Sequence, residues 1–213
     1  MIEIDTRLRV ARGMAKSETQ ASIEVFATLK RRGHPEAPPP TVSDGWGGID
    51  NAMVDVYGQV PPYSGRGRPP THKRPQPGWQ YLQGVKQRNE KGHVTGTQPR
   101  VIFGDEEDVL AHLAPHTSYI ERTHLTMRHS NSRLTRKSLA YSKTVAMHRR
   151  AAAWEDLYYN FVRPLKTLRV ELLDESPKRW EPCTPAMAAG LTGHIWTPKE
   201  LLTTIIPPSI DNT

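Results

Sequence analysis

Cysteine and long apolar runs are both nearly missing from this sequence. Cys183 is the one cysteine among 213 residues, which excludes an internal disulfide framework, a four-cysteine zinc ribbon and an iron–sulfur cluster. Apolar stretches are short fragments such as residues 101–103, far below the roughly 20 residues that a membrane-spanning helix needs. No apolar segment follows a basic N-terminus, as it would in a secretory signal. These absences predict a cytoplasmic protein without a membrane partner.

Acidic residues are scarce in two long parts of the chain. The formal net charge is +7, yet residues 61–100 alone carry +7 and residues 122–169 carry +9. Each phosphate that Lys or Arg neutralises releases counterions, so two such blocks indicate a polyanionic partner, DNA or RNA, and a nucleoid-associated protein. A solvated basic surface without a partner is the alternative explanation.

Residues 1–57 have the pattern of the first part of an α/β core. Alternating polarity, a capping box, a short apolar strand and a helical apolar stripe follow one another. The expected elements are a hairpin over residues 1–12, a helix from the Ser17 cap to about Arg32, a strand over 41–43 and a helix over 49–57.

Residues 58–78 are rich in Pro, Gly and Arg, which predicts a basic linker. Within it, Gly65-Arg66-Gly67-Arg68-Pro69-Pro70 resembles the core of an AT-hook, an extended segment whose arginines enter the minor groove of A·T-rich DNA. A flexible linker and a minor-groove contact by Arg66 and Arg68 both fit this composition. Residues 79–116 then predict a β-hairpin inserted into the core.

Helical patterns return after the hairpin. Residues 117–163 predict a basic helix to about residue 136, loosened around 130–132, and a long helix from about 138 to 159, which together complete the core. Residues 164–213 mix short turns with a helix near 198–203 and predict a C-terminal extension.

Two carboxylates stand where an α/β arrangement would bring them to one sheet edge. Asp44 ends a predicted strand, and Glu121 lies in the first turn of a later helix. Hard oxygen ligands suit Mg²⁺ or Mn²⁺, and two such ions roughly 3.5–4 Å apart promote phosphodiester displacement. The alternatives without a metal are a turn or N-cap at Asp44 and a capping box from Ser118 to Glu121.

Three stretches of the sequence form a family-like pattern. They are TSYIERTHLTMR at 117–128 with its continuation to residue 148, SDGW at 43–46, and residues 158–164 together with 184–190. In that order they resemble the catalytic helix with the segment after it, the second catalytic aspartate, and the tail of one branch of the insertion-sequence DDE transposases of the insertion-sequence-one type. The resemblance runs from about residue 2 to residue 203 and is weak across 58–100.

The resemblance implies a ribonuclease H-like fold and an Asp, Asp, Glu triad that holds two Mg²⁺ (or Mn²⁺) ions, cuts transposon ends and joins them to target DNA. Carried over by position, Asp44 is the second catalytic and metal-binding acid, Glu121 the third, and Arg128 a contact near the scissile phosphate. The expected partners are double-stranded DNA, as transposon ends and target, and further copies of this chain assembled on it. The residues expected to contact DNA are Arg66, Arg68, Arg122, Arg128, Arg133, Arg136 and Lys137.

The first acid of the triad has no counterpart in the match. Asp5 falls at a hairpin turn, where the family's aspartate is not catalytic, and the family's catalytic aspartate lies on a strand upstream. We therefore expect a ribonuclease H-like core that lacks its first strand, with a β-hairpin insertion and a helical C-terminal extension, and no activity of this isolated chain. The alternatives are a non-catalytic DNA-binding transposase remnant acting as a regulator, or another ribonuclease H-like nuclease or integrase.

Overall fold

The computed structural model describes residues 1–135, 137–172 and 179–204. The chain divides into two compact units: Met1 with Val10–Glu121 forms the first, and Ile2–Arg9 with the chain from Arg122 onward forms the second. Helices accompany a small three-stranded sheet, so the expected mixed α/β class is confirmed. The segment boundaries drawn from composition stay predictions.

Helix α1 (Glu18–Arg32) opens the first unit and follows its sequence signals. The Ser17 side chain accepts a hydrogen bond of 3.2 Å from the backbone N–H three residues further on, which satisfies one of the free donors at the helix start. Phe26 and Leu29 are buried, and the helix ends where the Gly33 N–H donates back to the Leu29 carbonyl. The predicted helix is confirmed at both ends.

A three-stranded sheet in the order β1-β2-β3 follows. Strand β1 (Thr41–Asp44) runs parallel to β2 (Tyr81–Arg88), and β2 runs antiparallel to β3 (Val94–Phe103). Helix α2 (Ile49–Tyr57) lies in the connection between the two parallel strands and buries its apolar side. The predicted strand, helix and hairpin are confirmed in these places.

Strand β2 is the central strand of the sheet, and this differs from the predicted insertion. Tyr81 and Leu82 are fully buried, and Trp79 just before them is buried as well. Side chains on both faces of a central strand are removed from water. Burying their apolar surface favours pairing with β1 over a peripheral hairpin. The parallel partner was not visible in the sequence, because pairing with β1 depends on residues distant in the chain.

The core of the first unit comes from α1, α2 and the start of β2. Edge-to-face aromatic contacts extend it, with ring centroids 6.3 Å apart for Tyr57 and Trp79 and 5.6 Å apart for Trp79 and Phe103. The buried members of this cluster are Phe26, Leu29, Ala52, Met53, Tyr57, Trp79 and Tyr81.

The remaining segments of the first unit are short or irregular. Every residue of 58–78 is described and none lies in a helix or a strand, although Gln59 and Arg74 form an isolated antiparallel bridge. Helix α3 (Glu106–His112) begins at the acidic run, where the Asp105 side chain accepts hydrogen bonds from two backbone N–H groups of the first turn.

The second unit is mainly helical. Helix α4 (Ser118–Ser130) crosses the division between the units at Arg122, and a single 3₁₀ turn, Ser132–Leu134, follows it. Helix α5 (Val145–Leu157) continues as a π-helical segment, Tyr158–Val162. The later elements are β4 (Val170–Glu171), β5 (Trp180–Glu181), α6 (Pro185–Ala188) and α7 (Pro198–Thr203).

Two helical predictions are confirmed here and one is wrong. The break near residues 130–132 and the helix near 198–203 are both present. The long helix does not begin near residue 138, because the Thr144 side chain accepts a hydrogen bond of 3.2 Å from the Met147 N–H and caps α5. Within the described ranges, no helix is long and apolar enough to cross a membrane.

The predicted N-terminal hairpin is present as a tight turn with one bridge rather than as two strands. Ile2 and Arg9 form an isolated antiparallel bridge, and the Glu3 N–H donates to the Leu8 carbonyl at 2.8 Å. Arg7 adopts a φ of 60°, in the left-handed region, and this reverses the chain.

Arg9 joins this turn to the C-terminal part of α5 and to the π-helical segment of the same unit. Its Nη1 donates to Glu155 Oε1 at 2.8 Å and to Asp156 Oδ1 at 3.2 Å. The backbone of Arg9 exchanges two hydrogen bonds of 3.0 Å with the side chain of Asn160, and its guanidinium lies 3.8 Å from the Tyr159 ring centroid. With the Arg9 and Glu155 side chains only 3% and 10% exposed, this is a buried ion pair.

Candidate metal centre and nucleic-acid interface

Asp44 is the last residue of β1, as predicted, and its side chain is exposed. It stands opposite Gly84 in the parallel register with β2. Residues alternate between the two faces of a strand, so Asp44, Gly84 and Lys86 share one face of the sheet. From the strand spacing and the rise per residue, the Cα atoms of Asp44 and Lys86 are about 8 Å apart. Asp44 Oδ1 also accepts a hydrogen bond of 3.3 Å from the Trp46 N–H.

The end of β1 is held in register by polar side chains on the opposite face. The Ser43 and Tyr81 hydroxyls lie 2.7 Å apart, and Gln83 Nε2 donates to the Tyr81 oxygen at 2.8 Å and to the Trp46 carbonyl at 3.2 Å. Arg100 on β3 donates to Gln83 Oε1. Burial raises the pKa of the Tyr81 phenol, against the opposing effect of its hydrogen bonds to Ser43 and Gln83. This network fixes the backbone from which the Asp44 carboxylate projects.

Glu121 lies in the first turn of α4 and reaches β2. Its Oε1 accepts from Lys86 Nζ at 2.6 Å and from Thr117 Oγ1 at 3.1 Å. The alternative capping box from Ser118 to Glu121 is not formed, because Ser118 is already helical and its hydroxyl lies 3.1 Å from His116 Nδ1. Glu121 is therefore a side chain directed at the sheet rather than a helix cap.

The two predicted acids, Asp44 and Glu121, both lie beside strand β2. Asp44 pairs with Gly84, and the Glu121 carboxylate bonds to Lys86, two residues further along β2 on the same face. Lys86 and Glu121 are 41% and 55% exposed at their side chains, so the pair is open to water. In the part of the chain that the structure describes, no cluster of three or more His, Cys, Asp or Glu side chains could hold a metal ion.

Two exposed carboxylates suit the donor chemistry of Mg²⁺ or Mn²⁺, which bind through one or two carboxylates and keep several waters or phosphate oxygens. The ammonium group of Lys86 is the obstacle, because it already neutralises Glu121. An ion that binds both acids has to displace Lys86 from Glu121. By donor type the two acids fit such an ion, but within the described residues they do not belong to a ligand cluster of three or more.

Gly84 permits the close approach of the chain that leads into α4. A Cβ at this position would lie 2.5 Å from the Pro115 carbonyl oxygen and 3.1 Å from Thr97 Cγ2. The absence of a side chain at Gly84 therefore lets the residues before α4 cross over β2, two residues from Lys86.

Replacing Gly84 with Ala should destabilise the first unit by about 1–3 kcal/mol, the range for forcing an extra methyl into a packed site. Gly96→Ala on β3 is the matched control, since its nearest neighbour to an added Cβ is Gln87 Oε1 at 3.7 Å. Urea denaturation of both variants is the measurement. Equal midpoints for the two variants would show that Gly84 is not a close-approach position.

The predicted DNA-binding residues are distributed over two regions. Arg122, Arg128 and Lys137 are exposed, whereas Arg133 is half-buried and donates from Nη1 to Ser142 Oγ at 3.1 Å. Arg136 lies outside the described residues. Arg128 is in the last turn of α4, where it also complements the negative end of the helix.

Arg66 and Arg68 lie in a bend rather than in an extended segment. Gly65 and Gly67 have φ values of 79° and 75°, and the Tyr63 hydroxyl donates to the Gly67 carbonyl at 3.0 Å. Both arginines are exposed. The extended conformation expected for an AT-hook is therefore not the one present, and a minor-groove contact would require this bend to open.

Lys86 and Gly84 are the site residues that sequence reasoning missed. Lys86 belongs to the first basic block, residues 61–100, whose charge indicates a nucleic-acid contact. The sequence offered one signal, a lysine two residues after a glycine in a buried strand. That signal identifies a site residue only when the position of α4 beside the strand is known.

Comparison of the chain with protein-family models, with curated proteins and with solved structures gives no match.

Proposed function

We propose that this chain is the catalytic domain of a DDE-type DNA transposase with a ribonuclease H-like core, and that Asp44 and Glu121 are two of its metal-binding acids. Its substrates are the phosphodiester bonds of transposon ends and target DNA, on which it assembles as a homo-oligomer in the nucleoid. Because the first acid of the triad has no counterpart in this chain, we expect the isolated chain not to cleave DNA. The sequence resemblance at residues 43–46 and 117–148 suggests the family. The contacts on β2 supply independent support.

The main support is that Asp44 and Glu121 both lie beside one short stretch of β2, residues 84–86. Asp44 is placed by the backbone register with Gly84, and Glu121 by its bond of 2.6 Å to Lys86. The sequence separates these acids widely, and neither a helix cap nor a turn requires both of them to lie near β2. Both side chains are exposed, so their oxygens are open to solvent as ligands.

A divalent ion bound by Asp44 and Glu121 would activate the attacking oxygen and stabilise the leaving one in phosphodiester displacement. The protein contributes the placement of both carboxylates, through the Ser43–Tyr81–Gln83 network and through the close approach at Gly84. Lys86 keeps Glu121 neutralised without the ion, and its released ammonium can then pair with a phosphate oxygen of the DNA.

Direct binding of Mn²⁺ to the purified chain tests this proposal, by electron paramagnetic resonance of the free ion. Asp44→Asn and Glu121→Gln should each abolish the site, because each removes a charged ligand. Lys86→Met should tighten binding by about two- to fivefold, the value of an exposed ion pair. Glu90→Gln, an exposed change in the β2–β3 turn, is the matched control and should leave binding unchanged. Mn²⁺ binding that survives both carboxylate substitutions would refute the metal assignment.

A non-catalytic DNA-binding remnant is the second candidate, and the Lys86–Glu121 ion pair favours it. In that case the lysine replaces the metal as the permanent partner of Glu121. Duplex DNA binding would then persist with no Mn²⁺ site, and Lys86→Met would not create one.

A further inference from the structure

The second unit contains a cavity that the metal centre does not use. Its volume is about 380 Å³, and it lies where the turn after α4 faces the C-terminal half of α5 and the π-helical segment. This is within the size range of pockets that bind small organic groups. Its walls combine aromatic rings, two guanidinium groups and one carboxylate, from Trp154, Tyr158, Tyr159, Arg133, Arg163 and Glu155.

Glu155 supplies the most informative atom of this cavity. Its Oε1 accepts from Arg9 Nη1 at 2.8 Å and lies 3.4 Å from Ser130 Oγ. Its Oε2 is buried and has no hydrogen-bond partner, and the side chain is only 10% exposed. An unpaired buried carboxylate oxygen is costly, and Glu155 is one of the residues that line the cavity, so a ligand that donates an N–H or O–H group to this oxygen would remove that cost.

The aromatic and basic residues of the cavity wall further restrict the chemical class of the ligand. Trp154 and Tyr158 are 39% and 40% exposed, with ring centroids 6.5 Å apart and ring planes inclined by 42°. Their exposed surface offers aromatic contact area for a flat ring. Arg163 is exposed and Arg133 is half-buried, and both border the cavity. A planar N–H donor joined to a phosphate matches all three features.

We infer that this cavity binds one unstacked nucleotide of a DNA strand whose base carries an amino group, with guanine as the best fit. The base stacks on Trp154, its amino group donates to Glu155 Oε2, and its phosphates pair with Arg133 and Arg163. Aromatic side chains and arginines are the usual means of holding unpaired bases. The site goes beyond the proposed phosphodiester chemistry and requires no metal.

The test is fluorescence anisotropy in EDTA with a short oligothymidylate that carries one central guanine. Replacing that guanine with hypoxanthine removes the amino group and should weaken binding about tenfold. Trp154→Leu should weaken binding of the guanine strand by about 5- to 150-fold, the range for loss of one stacked base. Tyr141→Leu, at another exposed aromatic residue, is the matched control and should have no effect.

Two further measurements distinguish an unstacked nucleotide within a strand from a free mononucleotide and from duplex DNA. Competition by free dGMP at concentrations similar to the oligonucleotide, again lost in Trp154→Leu, would show that the cavity takes a mononucleotide. A blunt duplex should bind Trp154→Leu and the unchanged chain alike, because it offers no unstacked base. Equal affinity for the guanine and hypoxanthine strands, or an unchanged affinity of Trp154→Leu for the guanine strand, would overturn the inference. The Mn²⁺ experiment on Asp44 and Glu121 stands or fails separately.

Discussion

Replacing Arg9 with Met should lower the free energy of unfolding of the second unit by about 3–5 kcal/mol, the cost of leaving one member of a buried ion pair without its partner. Glu155, with a side chain 10% exposed, would stay buried without this arginine. The lost bonds include those from Arg9 Nη1 to Glu155 at 2.8 Å and to Asp156 at 3.2 Å. The backbone hydrogen bonds with Asn160 do not depend on the guanidinium and should persist.

The double variant Arg9→Met with Glu155→Met is the control for this result. Replacing a buried ion pair with apolar side chains of similar volume is often neutral or stabilising, so most of the lost stability should return. The measurement is hydrogen exchange of the α5 amides at increasing urea, because two compact units need not unfold together. Additive losses in the double variant would mean that Arg9 and Glu155 stabilise the unit independently.

Removing three exposed basic side chains of the second block should weaken binding to duplex DNA strongly. The triple variant Arg122→Ala, Arg128→Ala and Lys137→Ala removes up to three phosphate contacts. With a salt slope of about 0.9 per contact, three contacts account for roughly a 500-fold difference in affinity at about 0.1 M salt. The slope of log K against log salt concentration should fall in parallel, for all DNA sequences alike.

A second triple variant matches this one in net charge. Lys16→Ala, Arg31→Ala and Arg32→Ala remove three exposed basic residues from outside both basic blocks. Anisotropy titrations of one labelled duplex at several salt concentrations compare the two variants. If both lose affinity equally, overall charge rather than the basic block around α4 determines binding.

The sequence predicted the elements whose causes are local. The Ser17 cap, the Gly33 end and the apolar side of α2 each depend on residues within a few positions, and each element lies where it was expected. The predicted start of α5 was too early. The basic stretch before Thr144 has a helical pattern, and Thr144 is only a weak sequence signal for a helix cap. Composition alone could not distinguish those two starts.

Contacts between residues far apart in the chain could not be predicted from the sequence. The parallel pairing of β1 with β2 and the bond from Lys86 to Glu121 depend on how remote segments pack. Arg9 and Glu155 are separated by 146 positions, and no periodicity links them. The carboxylates Asp44 and Glu121 were predicted from their places in the α/β pattern and from the family resemblance, and the structure adds the strand β2 that each of them lies against.

Because Ile2–Arg9 belongs with the helices after Arg122, the second unit is built from two separate pieces of chain. A fragment that starts at Arg122 would contain α5 and yet lack the guanidinium that Glu155 and Asp156 share. Such a fragment leaves the buried Glu155 carboxylate without its arginine. A peptide of residues 2–9, supplied in trans, contains the missing arginine, and peptide and fragment together would hold both pieces of the second unit.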